Sequence, residues 1–288
     1  MASPRRNLVT ANRIYAHHGI LDAYGHCSIR DPENPEQFIM SRARAPELVT
    51  EDDLLVLNLN GEVVDPNEKR SPYSERFIHA AVYAARPDVH AVTHSHTPSV
   101  IPFGVTKVPL RAICHLGAVV GNDVPVWDIA TDFGDTNLLV STLPQGQSLA
   151  RALGDNKMAL MRGHGCVLVA RTIQEVVRNG VYMDVNARLL TTALIIGGGE
   201  VQYLSSGEMN ERLTRGGAPS QEVAEARREP ASSALRTRRK SSITTPCESS
   251  RASRRLPADS SQLARSATSV RGSGCRGFAA TYHRCAHP

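Results

Sequence analysis

Apolar side chains recur every three or four residues in several parts of the chain, which is the spacing of one helix face. The first such segment ends at Gly19, a residue suited to a C-terminal cap. Ser74 and Thr172 precede two others, and their hydroxyls can cap the first turn. The pattern predicts helices over residues 8–19, 74–86, 147–153 and 172–196.

Short apolar or alternating segments lie between these helices and are typical of strands. Residues 90–96 alternate between the two faces of an extended chain. The dipeptide Asn60-Gly61 is a strong hairpin signal. Because strands and helices interleave, we predict an α/β fold. The predicted strands cover residues 27–30, 37–40, 54–59, 90–96, 158–161, 166–170 and 201–204.

The positive charge of the chain is concentrated in its last part. The formal net charge is +5, but residues 216–288 hold 13 basic and 5 acidic side chains, while residues 1–215 hold 20 and 23. The tail is rich in Arg and Ser, and it lacks the apolar periodicity of a folded segment. We therefore expect disorder there. Without interleaved aromatic residues, nucleic-acid binding is disfavoured. A further hypothesis is that the tail is an out-of-frame translation of a GC-rich gene, which resequencing codons 205–220 would test.

Other features of composition indicate a cytoplasmic protein. The six cysteines form no CxxC pair and fit free thiols in a reducing compartment. No apolar run is long enough to span a membrane. The N-terminal residues are polar and basic, without the apolar segment of a secretion signal.

Three histidines and one glutamate have the spacing of a metal site. His94 and His96 are two apart on a predicted strand, so both imidazoles can reach one ion. His164 lies between two glycines that allow close backbone approach, and Glu75 begins a predicted helix. Either histidine of the pair could instead be a hydrogen-bonded edge residue. Three nitrogen donors with an open position are typical of a catalytic site.

Four blocks of sequence together resemble the class II aldolase/adducin family. They are Ser-Glu-Arg-Phe-Ile-His at 74–79, Ala-Arg-Pro-Asp at 85–88, Ala-Val-Thr-His-Ser-His at 91–96 and Arg-Gly-His-Gly at 162–165. Their order and spacing agree with that family over about residues 8–213, which we take as the catalytic domain.

The resemblance implies a three-layer α/β/α domain with a mixed central sheet and a homotetramer with sites at subunit interfaces. It also implies that His94, His96 and His164 hold one divalent metal ion, with Glu75 as a further ligand or as the acid/base. Zinc is the favoured ion, with manganese, cobalt and iron as alternatives, because imidazole suits several metals. Adducins keep the fold without a working metal site. Retention of all four residues therefore favours an enzyme.

The residues that replace the family's phosphate-binding motifs change the expected substrate. Sugar-phosphate members have small donors where this chain has Gly25-His26, Ser41-Arg42-Ala43-Arg44 and Tyr73-Ser74. Arginine suits bidentate binding of a carboxylate, although Arg42 and Arg44 could also be solvated loop charges. The segments at 25–32 and 39–50 look most like the family's decarboxylases of aromatic catabolism.

We therefore predict a metal-dependent decarboxylase of a hydroxylated aromatic dicarboxylic acid such as 3,4-dihydroxyphthalate, or of a carboxylated ring-cleavage product. Decarboxylation and aldol cleavage both leave an enolate-like carbanion that a cation can stabilise. An aldolase acting on a hydroxy-carbonyl substrate and a non-catalytic adducin-like module are the alternatives. The partner expected is a small carboxylic acid. The predicted catalytic residues are Glu75, His26 and His115, and the predicted substrate-binding residues are Arg42, Arg44, Ser28 and Ser74.

Overall fold

The structure of the protein is a computed structural model that describes residues 3–215. The expected disordered tail and its nucleic-acid alternative therefore lie outside the described residues. The helices are α1 (Pro4–His17), α2 (Arg76–Ala85), α3 (Ile101–Gly104), α4 (Ile129–Phe133), α5 (Leu143–Leu153), α6 (Ile173–Ile196) and α7 (Ser206–Arg215). The strands are β1 (His26–Arg30), β2 (Gln37–Ser41), β3 (Leu54–Asn58), β4 (Ala91–Ser95), β5 (Val126–Trp127), β6 (Met158–Met161) and β7 (Gly165–Ala170).

These strands form one mixed sheet in the order β3-β2-β1-β4-β7-β6-β5. Neighbouring strands are antiparallel except β5 and β6, which are parallel. The register pairs His26 with His94 and Ser95 with Cys166. The predicted α/β fold with a mixed central sheet is confirmed, and the central strand β4 brings its histidines to one end of the sheet.

Helices cover both faces of this sheet, because successive side chains of a strand point to opposite sides. One apolar cluster joins α2 and α5 to the face that carries Val92, and another joins α1 and α6 to the face that carries Ala91. His94 is two residues from Val92 and therefore points toward the α2 layer. The layering places the start of α2 above the end of β4.

Most of the predicted elements are present. Thr172 caps α6 by accepting a hydrogen bond from the backbone N–H of Glu175. Asn60-Gly61 forms the expected turn, with Gly61 at φ +80°. The predicted strand at 201–204 is wrong, because this segment does not pair with the seven-stranded sheet. No helix or strand was predicted between residues 97 and 142 or at α7.

No helix of residues 3–215 combines the length and the apolar character that a membrane span requires.

Candidate metal centre

Four side chains from three parts of the fold converge at one end of the sheet. Glu75 immediately precedes α2, His94 lies in β4, His96 follows β4, and His164 precedes β7. Pairing of β4 with β7 brings the last two histidines together across the strand ends. One donor atom from each of the four lies within 4.8 Å of the others. The structure thus brings together all four residues predicted as metal ligands.

The separations between donor atoms fit a single small cation. Nε2 of His96 is 3.1 Å from Nε2 of His94 and 3.1 Å from Nε2 of His164. Oε2 of Glu75 is 3.5 Å from Nε2 of His94 and 3.6 Å from that of His164. Ligands about 2.0–2.1 Å from a tetrahedral ion lie roughly 3.3 Å apart. These residues therefore fit a divalent metal ion.

Hydrogen bonds on the far side of the imidazoles orient two of the donors. Nδ1 of His94 is 3.1 Å from the carbonyl oxygen of Cys166, and Nδ1 of His96 is 3.1 Å from Oδ2 of Asp22. If each Nδ1–H donates to its oxygen, the Nε2 lone pair is left for a metal. Nδ1 of His164 is buried without a hydrogen-bond partner among residues 3–215, so no neighbour sets its tautomer.

Glu75 is buried and ionised beside the histidines. It occupies the N-cap position of α2 without capping the helix, and its Oε1 accepts a hydrogen bond of 3.0 Å from the backbone N–H of Val140. Burial alone would raise the pKa of Glu75, but hydrogen bonding to His164 and His94 outweighs it and lowers that pKa far below its usual range. The prediction that Ser74 caps this helix is wrong, since Glu75 holds the cap position.

The two glycines beside His164 have separate structural roles. Gly163 has φ +68°, a left-handed conformation that favours glycine. A Cβ on Gly165 would lie 2.1 Å from the carbonyl oxygen of Ser95. The close approach of β7 to β4 therefore depends on the missing side chain, as the sequence predicted.

Gly165→Ala is expected to destabilise the protein by about 1–3 kcal/mol, because the added methyl group overlaps the backbone of β4. To relieve this overlap, β7 would have to move away from β4. That movement should separate His164 from His96 and lower the bound metal content. The matched control is Gly207→Ala in α7, where the nearest atom would be 3.8 Å from the new Cβ. Denaturant unfolding and metal analysis of both variants test this. Equal stability of the two variants would contradict the close-packing argument.

His26 lies beside this cluster but is bonded to other residues. Its ring centroid is 5.1 Å from that of His94 and 4.6 Å from that of Tyr73. Its Nδ1 is 2.7 Å from Nε2 of His79, while its Nε2 is buried without a partner among the described residues. Burial lowers the pKa of His26 well below its ordinary value, so the ring is neutral. His79 thus contacts His26 directly.

Arg42 and Arg44 are held in place rather than free in solvent. Nε of Arg42 is 2.7 Å and Nη1 of Arg44 is 3.2 Å from Oδ1 of the buried Asp53. Hydrogen bonds with the backbone of Arg44 join Tyr73 to this pair. Nε of Arg44 is buried and has no partner among residues 3–215. The side chains of Arg42 and Arg44 remain 33% and 34% exposed, so the ion pairs with Asp53 fix their position without removing them from solvent, and their role stays a prediction.

Three other predicted site residues have different outcomes. Ser28 is fully buried, and its hydroxyl bonds to His79 and Tyr83, so the prediction that it binds substrate is wrong. His115 is exposed, and in the described chain it makes no ring or side-chain hydrogen-bond contact with the cluster. Ser74 is exposed next to Glu75, and its role stays a prediction.

Sequence reasoning missed two residues that orient the site, Asp22 and Asp53. Asp22 also accepts hydrogen bonds from the backbone N–H groups of Tyr24 and Gly25, and these bonds form a turn. An Asp followed closely by a Gly is a sequence signal for such a turn. Asp53 carries a capping box with Thr50, visible as a Thr three residues before an acid. Their contacts with His96 and the arginines have no signal in the sequence, because the partners are distant along the chain.

Comparison with known proteins places the chain in a family and associates it with decarboxylases. It is 34% identical over 206 residues to Decarboxylase tropJ of Talaromyces stipitatus, covering 67% of this chain and 77% of that protein. It is 27% identical over 231 residues to 3,4-dihydroxyphthalate decarboxylase of Arthrobacter keyseri, covering 75% and 89%. These relatives support a carbon–carbon lyase activity of the carboxy-lyase type.

The fold comparison agrees with the sequence comparison. A crystal structure of an aldolase II superfamily protein from Pseudomonas syringae matches with a TM-score of 0.63 and 22% identity, covering 78% of this chain and 88% of that one. The model of the Class II Aldolase and Adducin N-terminal domain family matches residues 6–191, more than half of the chain. The expected resemblance is confirmed, and the chain belongs to the Class II Aldolase and Adducin N-terminal domain family.

Proposed function

We propose that the protein is a metal-dependent decarboxylase of a hydroxylated aromatic dicarboxylic acid such as 3,4-dihydroxyphthalate, or of a carboxylated ring-cleavage product. The observation that carries this proposal is the cluster of Glu75, His94, His96 and His164. Two arginines tethered to Asp53 add to it. The similarity to a 3,4-dihydroxyphthalate decarboxylase supports the substrate class.

The metal site is proposed to hold one divalent cation, with zinc favoured and manganese, cobalt or iron as alternatives. His94, His96 and His164 would bind it through Nε2, and Glu75 would add a carboxylate oxygen. When bound, the cation would supply Lewis-acid stabilisation of the charge that remains when carbon dioxide departs.

Arg42 and Arg44 are proposed to bind a carboxylate of the substrate. Asp53 accepts from Nε of Arg42 and Nη1 of Arg44, which leaves the terminal nitrogens of Arg42 and the buried Nε of Arg44 for another acceptor. Antiparallel strands β1 and β2 pair Ser28 with Met40. Two residues further along in the same register, Arg42 lies opposite His26. The anion-binding groups thus belong to the same end of the sheet as the histidines.

The proton that replaces carbon dioxide is proposed to come from Glu75, His26 or His115. Glu75 and His26 lie at the cluster, whereas His115 would have to reach it from another chain.

A homotetramer with shared sites would allow His115 of one subunit to reach the cluster of another. The exposed Ile195 and Ile196, at 77% and 81%, fit a surface that another subunit covers. The molar mass of the assembly in solution tests the tetramer, and imaging of the tagged protein in its host tests the proposed cytoplasmic location.

Carbon dioxide release from 3,4-dihydroxyphthalate by the zinc-loaded protein tests the function directly. We expect release that stops after chelation with EDTA and returns when zinc is restored. A carboxymuconic semialdehyde and L-fuculose 1-phosphate serve as comparison substrates. Aldehyde formation from the sugar phosphate, without carbon dioxide from either acid, would favour the aldolase. Absence of bound metal and of both activities would favour the non-catalytic module.

Arg42→Met is expected to raise KM about 10-fold or more with a smaller change in kcat, because a charge-assisted hydrogen bond to a carboxylate contributes about 1.5–3 kcal/mol. Steady-state kinetics with the accepted acid measure both constants. The control is Arg178→Met on α6, whose guanidinium is an exposed charge beside Glu175. An unchanged KM in the Arg42 variant would remove this residue from the carboxylate site.

A further inference from the structure

Four buried side chains form a hydrogen-bonded line that ends beside the metal centre. Oη of Tyr83 is 2.8 Å from Oγ of Ser28, which is 2.6 Å from Nδ1 of His79. Nε2 of His79 is 2.7 Å from Nδ1 of His26. Each of the four side chains belongs to a residue that is at most 1% exposed. Water therefore does not compete for these hydrogen bonds.

The direction of the line follows from the donors and acceptors that it contains. Among residues 3–215, Ser28 Oγ is the acceptor within hydrogen-bond distance of the Tyr83 hydroxyl, and the backbone N–H of Val92 that also approaches it can only donate. Tyr83 must therefore donate to Ser28, since a buried hydroxyl without an acceptor is costly. Ser28 then donates to Nδ1 of His79. The opposite direction would leave the Tyr83 proton without an acceptor.

The same reasoning continues through the two imidazoles. His79 accepts at Nδ1, so its one proton is on Nε2 and is donated to Nδ1 of His26. Burial lowers the pKa of His79 to about 3 and raises that of Tyr83, so both groups stay neutral near pH 7. His26, accepting at Nδ1, carries its own proton on Nε2. That N–H is buried and has no acceptor among the described residues.

We propose that His79 is a positioning residue that holds His26 as the Nε2–H tautomer, and that His26 donates this hydrogen bond to a negatively charged oxygen of the substrate. The proposal rests on the proposed function and narrows it. A neutral imidazole N–H can polarise an oxygen without transferring its proton. His26 would thus bind a carboxylate or phenolate oxygen, and the proton that replaces carbon dioxide would come from another group.

Nitrogen-15 NMR of the zinc-loaded full chain, labelled at histidine, tests the tautomer without any substrate. We expect the proton of His26 on Nε2 in the natural protein and a mixture of tautomers in Ser28→Ala. A proton on Nδ1 of His26 in the natural protein would overturn the proposal. Because this readout needs no activity, it stands or fails separately from carbon dioxide release.

Paired substitutions test the proposed positioning. Glutamine at residue 79 offers an acceptor to Ser28 and an amide donor to His26, whereas leucine offers neither. We expect His79→Leu to lower kcat roughly 10- to 100-fold with metal content unchanged, and His79→Gln to restore most of that loss. Equal losses in both folded variants would indicate a packing role and contradict the proposal.

A second pair separates hydrogen-bond donation by His26 from proton transfer. His26→Gln keeps an N–H donor that cannot act as a proton source, and His26→Phe has no donor. We expect the phenylalanine variant to lose roughly 10- to 100-fold more activity than the glutamine variant. If both lose activity equally, His26 is the proton source and the assigned role is wrong.

Discussion

His96→Ala is expected to abolish decarboxylation and to lower metal affinity more than 100-fold. Nε2 of His96 is 3.1 Å from both other imidazole donors, so its loss opens one side of the donor set. Substitutions of groups that merely orient a ligand already cost about 10- to 100-fold in metal affinity. Because the His96 side chain is 19% exposed and follows the strand, the change should leave the core intact.

Metal analysis after dialysis, together with carbon dioxide release, measures this effect. The matched control is His90→Ala, which removes an exposed histidine just before β4. Asp22→Asn should lower the metal affinity by a smaller factor, since Asp22 only orients His96 through a hydrogen bond to its Nδ1. Full metal content in the His96 variant would exclude this residue as a ligand, and equal losses in the His90 variant would indicate a general effect on the fold.

Glu75→Gln is expected to lower kcat by about 10²- to 10⁴-fold, the usual contribution of a positioned acid/base group. The amide has nearly the same shape, and its oxygen can still accept from the backbone N–H of Val140. Three imidazoles remain to hold the metal, so the metal content should survive. Because its lowered pKa keeps Glu75 ionised, this residue would first take up a proton before delivering it, which the amide of glutamine cannot do.

Single-turnover kinetics and metal analysis of the same preparation separate the possible roles of Glu75. Loss of turnover with the metal retained supports the acid/base role, and loss of both supports a role mainly as a ligand. Glu200→Gln, a change at an exposed residue, serves as the control. Unchanged turnover in the Glu75 variant would refute its participation.

Much of the site was predictable because its residues are marked by local pattern. The alternation of residues 90–96 predicts a strand, and a strand places His94 and His96 two residues apart on one side. The Gly-His-Gly segment predicts a close backbone approach, which the contact between Gly165 and Ser95 shows. Such features depend on side chains that are adjacent along the chain.

The remaining contacts involve partners far apart in the sequence. Asp22 and His96 are 74 residues apart, and Glu75 and Val140 are 65 apart. The chain between β4 and α5 contains the short elements α3, β5 and α4, and it has no sustained apolar period from which its path could be predicted. Ser28 shows the consequence, because its serine side chain suggested substrate binding while its neighbours in the fold engage it completely.

The amino-acid sequence by itself determined the chemical types in the site, the helices and strands that carry them, and the family. It did so because donor chemistry and apolar periodicity are properties of neighbouring residues. Only the tertiary structure decided which nitrogen of His94 and His96 faces the candidate metal site, which group tethers the arginines, and in which direction Tyr83 donates. These depend on burial and on hydrogen bonds between distant segments, which exist only once the chain has folded.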